Sequence, residues 1–172
     1  MLGGSLAFEP TRFDLFGEET YVTLRLRNLD GSRIALLLEK FDGEITGIFS
    51  GRIPLRKAAG QLDFTGGFLE LDRDSPGRLR YRSDGLLTEG MQPVGSEYKL
   101  RRNTELALKD LDVKRLRLDF VEENGERQIL GQVQGKAQID KKTTIDLNYR
   151  PRIQVDLWEL LQEINFETLD LD

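Results

Sequence analysis

The pattern of this chain predicts a mainly β protein: an antiparallel sheet, strongly curved or folded over, with an apolar groove and one or two short helices. Three observations carry that expectation. Apolar and polar residues alternate with period two through most segments, which sends one row of side chains to each face of a strand. Turn residues recur about every ten residues, the spacing of an antiparallel all-β architecture. Glycines fall inside predicted strands at Gly47, Gly51, Gly131 and Gly135, where they let a sheet bend or coil.

Val22, Leu24 and Leu26 alternate with Thr23, Arg25 and Arg27 and give a first strand. Asn28 to Ser32 supplies turn residues, and Arg33 to Lys40 resumes as a strand carrying Leu36. After a turn at Phe41-Asp42-Gly43, Ile45, Gly47, Phe49 and Gly51 share one parity. Leu62 and Phe64 form one run and Leu69 and Leu71 another, and Gly66-Gly67 between them predicts a bulge or bend. Leu79 and Tyr81 alternate with arginines. Ser83 to Glu97 is polar, holds Gly85, Gly90, Pro93 and Gly95, and reads as a long mobile loop. It is the place for an internal boundary (83–97) in what is otherwise one β-rich domain over 1–172, or one segment of a larger groove protein.

Leu106, Ala107 and Leu111 stand at helical spacing, so a helix is expected over about 103–111, capped by Asn103 or Thr104. Leu116, Leu118 and Phe120 lead into Asn124-Gly125, the strongest hairpin signal in the chain, and Ile129 to Ile139 returns with Val133. Ile145, Leu147 and Tyr149 form another strand, Ile153 and Val155 a short last one. Trp158, Leu161 and Ile164, joined by Leu157 and preceded by Asp156 as a cap, predict an amphipathic helix over about 156–164.

The 172 residues include neither cysteine nor histidine. That excludes a disulfide framework, a thiolate nucleophile, an iron–sulfur cluster, a Cys-type zinc site and a Ser-His-Asp triad. A net charge of -5 argues against a nucleic-acid partner. Basic residues gather between Lys99 and Leu118 (Lys99, Arg101, Arg102, Lys109, Lys114, Arg115, Arg117), a candidate contact patch or a solvated face. From Ile153 onward the charged residues are all acidic. No apolar run approaches a bilayer span, and Met1 to Ala7 lacks the features of a signal peptide. The chain is thus expected to be cytosolic or a piece of a larger secreted or anchored parent.

No constellation announces catalysis. Ser50 lies in Ile48-Phe49-Ser50-Gly51, which does not fit the G-x-S-x-G of a nucleophile elbow, and there is no histidine to serve it. Asp72-x-Asp74 and Asp110-x-Asp112 offer too few oxygen ligands for calcium and suit turns or caps. Carboxylate pairs are plentiful by chance among 30 acidic residues, so a glycosidase reading has no specificity. Gly66-Gly67 lacks the lysine and hydroxyl of a phosphate loop. No enzyme, metal site or cofactor is expected. What remains is an apolar face of unusual extent, which must be covered by protein or by something apolar such as a lipid.

Several pieces fall in a recognisable order: Gly47-Ile-Phe-Ser-Gly51-Arg-Ile53-Pro54, then Leu62-Asp-Phe-Thr-Gly66-Gly67, then Pro76-Gly77-Arg-Leu79-Arg-Tyr81. Leu106 to Leu111, Leu116 to Phe120, Ile129 to Gly135, Ile145 to Tyr149 and Ile153 to Leu161 follow. From about Phe41 to Leu161 this order resembles the C-terminal region of the YdbH-type "dicarboxylate transport" family, within the AsmA-like group of bacterial intermembrane proteins. The resemblance implies a parent anchored in the inner membrane of a Gram-negative cell and reaching through the periplasm. It implies a long folded-over sheet whose hydrophobic groove passes phospholipid towards the outer membrane. A dicarboxylate cargo is not expected, because the sequence displays neither the clustered arginines nor the closed pocket a small dianion requires.

On that reading phospholipid is the partner and the groove is lined by Leu24, Leu36, Ile45, Phe49, Leu62, Phe64, Leu79, Tyr81, Leu118, Phe120, Val133 and Leu147. Strands about 4.8 Å apart would make ten of them a trough of about 50 Å. At roughly 0.8 kcal/mol per buried methylene, an acyl tail would gain on the order of 10 kcal/mol before ordering costs. A small lipoprotein, or the neighbouring segment of the same parent, could add a strand to an open edge. The helix bearing Trp158 could plug the groove's end or simply cover an edge. The alternative is a structural or protein-interaction β-module with a closed core and no lipid.

Overall fold

The protein is described by a computed structural model over residues 4–9, 20–36, 42–58, 61–123 and 125–154. Its strands are β1 (Ser5–Glu9), β2 (Thr20–Asp30), β3 (Gly43–Thr46), β4 (Ile48–Ala58), β5 (Gln61–Asp63), β6 (Phe68–Leu71), β7 (Gly77–Tyr81), β8 (Leu111–Glu123), β9 (Glu126–Gln138), β10 (Thr144–Tyr149) and β11 (Arg152–Gln154). Among the described residues two helices, α1 (Gly31–Leu36) and α2 (Gly95–Leu108), interrupt them. The mainly β, antiparallel expectation is met: every pairing is antiparallel and all the strands join one sheet, which does not close on itself.

The sheet branches at β8. Along one side β8 pairs with β9 over almost its full length. On its other side two strands share it end to end. Leu79 and Gly77 of β7 face Leu111 and Val113, whereas Phe68, Leu69 and Glu70 of β6 face Asp119, Leu118 and Arg117. One arm therefore runs β8–β7–β3 and the other β8–β6–β4–β2–β1. The arms part at Gly47, where Ile45 and Phe49 share parity but β3 and β4 are separate strands with different neighbours. Gly47 adopts φ 114°, and a Cβ there would lie 2.5 Å from Leu71 Cδ1. Only glycine turns this corner without strain and without displacing the core.

The strands flanking the predicted hairpin pair as expected, with Glu123 opposite Glu126 and Gly125 at φ 79°, while Asn124 lies outside the described residues. The bend at Gly66-Gly67 also forms: Gly66 N–H donates to Phe120 O and Phe120 N–H to Gly67 O, each at 2.9 Å.

Three expectations are corrected. The predicted strand Arg33–Lys40 is helical over Gly31–Leu36, and residues 37–40 lie outside the described residues. Asp30 Oδ1 accepts bonds from the Ser32 N–H (2.9 Å) and hydroxyl (2.8 Å), a capping arrangement, and Ile34 and Ala35 are buried together on one side of a single turn. A short apolar run cannot by periodicity alone be told from a strand, which is why the sequence misleads here. The second helix spans Gly95–Leu108 where about 103–111 was predicted. It begins directly after Pro93-Val94, with Val94 extended and making no side-chain cap, so the start signal sought at Asn103 or Thr104 does not exist. The loop predicted as 83–97 thus ends three residues earlier, at Val94. The helix predicted over 156–164, with Trp158, lies outside the described residues.

Candidate functional site: an apolar sheet face, sealed at one end

Register builds the site. Leu24 faces Ile53 and Val22 faces Leu55 across β2 and β4. A continuous rank of partners then crosses five strands: Leu26 to Gly51, Gly51 to Leu69, Leu69 to Leu118, and Leu118 to Gly131. Four interstrand spacings make this rank about 19 Å long. Residues two apart share a face, so Phe49, Ile53 and Leu55 of β4, Leu71 of β6, Leu116 and Phe120 of β8 and Ile129 and Val133 of β9 belong to the same apolar surface.

Burial along this surface is graded. At the β7–β10 end it is sealed by protein. Ala107 and Leu108 of α2, with Leu111, pack there with Val133, Ala137 and Leu147, all nearly inaccessible, while Ile129 is buried further along β9 opposite Phe120. α1 plugs the fork between the arms with Ile34 and Ala35, beside Ile45, Leu29 and Phe49. Phe64 and Phe120 meet edge to face, centroids 6.4 Å apart at 75°. Towards β2 and β4 the cover thins: Val22, Leu26, Ile53, Leu55 and Leu69 are only half-buried.

Of the residues expected to line a groove, Leu24, Ile45, Phe49, Phe64, Leu79, Leu118, Phe120, Val133 and Leu147 are buried and Tyr81 is half-buried. All but Leu24 belong to, or pack against, one core cluster. The side chains of Leu36 and Leu62 lie outside the described residues. The half-buried row Val22, Leu26, Ile53, Leu55, Leu69 was missed, although parity with Leu24 and Phe49 marks it in the sequence. What parity does not carry is the extent of cover, which depends on where the helices dock.

The polar groups are arranged to hold the fold. Asp110 accepts two 2.6 Å bonds from the Arg78 guanidinium and one from Arg80, and these hold its carboxyl below the usual range. Glu105, 3% exposed, is opposed by burial, yet bonds from Leu87 N–H, from Thr88 and from Arg102 keep its pKa lowered. Carboxylates held charged are the opposite of what a general acid requires. No group of three or more metal-capable side chains occurs among the described residues. Asp72 and Asp74 lie in a turn, where Ser75 N–H donates to Asp72 O at 3.0 Å.

A family model described as "YdbH-like: Intermembrane phospholipid transport protein YdbH" matches residues 1–168, so the likeness reaches well before Phe41, where the sequence offers only generic strands. No curated protein and no solved structure matches the chain.

Proposed function

Since the chain belongs to the YdbH-like family, we propose that it is a segment of a periplasmic lipid conduit whose folded-over sheet holds and passes phospholipid acyl chains between the inner and outer membranes. The half-buried row of Val22, Leu26, Ile53, Leu55 and Leu69 makes first contact with the acyl chain. The ten described side chains among those singled out from the sequence form the floor and far wall of the path. The observation that carries this reading is the graded cover: the apolar surface runs unbroken from a sealed end to an under-covered one in a sheet that does not close. Sliding of a hydrocarbon tail along such a surface requires no catalytic group, because successive methylenes exchange one apolar contact for another. The headgroup stays in water at the rim. Strands with one neighbour among the described residues, β1 and β3 at the ends of the two arms and β5, β10 and β11 beside them, are where an adjoining segment of the parent or a small lipoprotein adds a strand.

Native mass spectrometry of the purified chain tests the reading. Co-purifying phospholipid, displaced when Ile53→Asp and Leu55→Asp are introduced, is the expected result. A second reading, an interaction module with a closed core, draws on the sealing by α2 at the β7–β10 end. It predicts an apo mass and no uptake of a fluorescent phospholipid.

A further inference from the structure

On the opposite, outer face of the sheet, Arg25 and Arg52 are direct cross-strand partners on β2 and β4. Two like charges so placed repel and weaken a sheet unless an anion lies between them. Glu9 of β1 supplies one: its carboxylate pairs with Arg25 and, at 3.5 Å, with Arg52. Arg27 follows on the same face of β2, and no carboxylate among the described residues pairs with it. Register slips between Leu26 and Leu29, where Asn28 takes φ 57°, and the slip opens a depression of about 360 Å³. Arg25, Arg27, Arg52, Ser50 and Phe68 line it. Glu70 on the far rim is engaged by Arg117 at 3.0 Å, which also stacks 4.1 Å from the Phe68 ring centroid. Both arginines of the Glu9 bridge remain half-exposed, at 50% and 57%. In a chain of net charge -5 this is a local inversion of sign.

We propose that this cleft is an oxyanion site for a phosphate-bearing group, with Arg25, Arg27 and Arg52 as its cationic ligands, Ser50 as a neutral donor and Glu9 as a resident competitor. Guanidinium forks match phosphate oxygens two at a time, and three of them converge here on one open depression. The inference stands apart from the reading of the apolar face, because its residues lie on the other side of the sheet.

Amide chemical shifts of the full chain, titrated with inorganic phosphate at ionic strength held constant with sodium chloride, test it. Saturable shifts confined to Leu26–Asn28 and Ser50–Arg52 are expected. The double variant Arg27→Gln/Arg52→Gln weakens binding by about tenfold or more, the loss expected for two charge-assisted contacts. Glu9→Gln, which removes the competitor, tightens it by about threefold, the modest effect of an exposed ion pair. Repeating the titration with glycerol 3-phosphate and with a short-chain phosphatidylglycerol below its micelle concentration separates the sources. Equal affinity assigns the site to a phosphorylated solute, and a gain for the lipid assigns it to a headgroup. Linear, non-saturating shifts, the same shifts with chloride alone, or Glu9→Gln weakening the binding would overturn the proposal.

Discussion

Glu105 shows what a single residue does in this fold. It stands on α2 with its carboxylate aimed at the segment before the helix, accepting from Leu87 N–H (2.6 Å), Thr88 N–H (3.1 Å) and Thr88 Oγ1 (2.9 Å). Glu105→Gln leaves some of these donors without an acceptor, and each buried unsatisfied group costs about 1–3 kcal/mol. Chemical denaturation is expected to show a loss in that range, with faster amide exchange at Leu87 and Thr88. The pH dependence has a defined sign. The folded pKa is lowered, so the contribution is fully present above the unfolded value, about 4.3, and disappears as pH falls through the folded one. Below that window the wild type and Glu105→Gln should converge. Phe49, 1% exposed, makes the apolar counterpart: Phe49→Ala should cost about 3–5 kcal/mol. The burial of Phe49 is legible in the sequence from strand parity. The role of Glu105 is not, because its partners lie 17 and 18 residues away in a segment that reads as a polar loop.

At the scale of elements, the long strands were legible and the short pieces were not. β8 and β9 alternate over Leu116–Phe120 and from Ile129 onward on either side of an Asn-Gly pair, so pattern and turn chemistry agree there. Leu111, by contrast, reads as the end of a helix, and a bulge between Val113 and Arg115 interrupts the alternation. α1 has six residues and one turn, too few for helical period to separate from a strand. α2 begins without a side-chain cap, and it is tertiary packing of Ala107 and Leu108 against the sheet that stabilises it. The arginine cleft was likewise unseen. Arg25 and Arg52 are 27 residues apart and meet only through the β2–β4 register. Gly47 offers the sharpest test of the branching. Gly47→Ala is expected to destabilise by more than about 1 kcal/mol, since it combines an unfavourable φ with a clash against Leu71. Gly66→Ala, at φ 84° with open space around it, carries the conformational penalty alone and should cost less. Equal losses in paired thermal melts would show that the corner is looser than described.

For the whole molecule the decisive feature is asymmetry: one sheet face apolar, sealed by helices at one end and half-covered at the other, the opposite face laced with ion pairs. A substitution that places charge on the half-covered row should remove lipid uptake while shifting the melting temperature little, because Ile53 and Leu55 are not fully buried. Leu118→Asp, at a position 8% exposed, should unfold the chain instead. Family membership and the open sheet agree with a conduit, and the sequence already pointed there through its alternation and its ordered motifs. The position of the open stretch was not readable, since it depends on which part of the face α1 and α2 cover.

Site-specific photocrosslinking in cells tests the lipid path most directly. A photoreactive phenylalanine analogue at Ile53, Leu55 or Leu69 should capture phospholipid, whereas the same analogue at Arg56 or Gln132, on the outward face of the sheet and outside the arginine cleft, should not. Adducts of equal yield on both faces, or none at the first three positions in a folded protein, would contradict a lipid path along this surface.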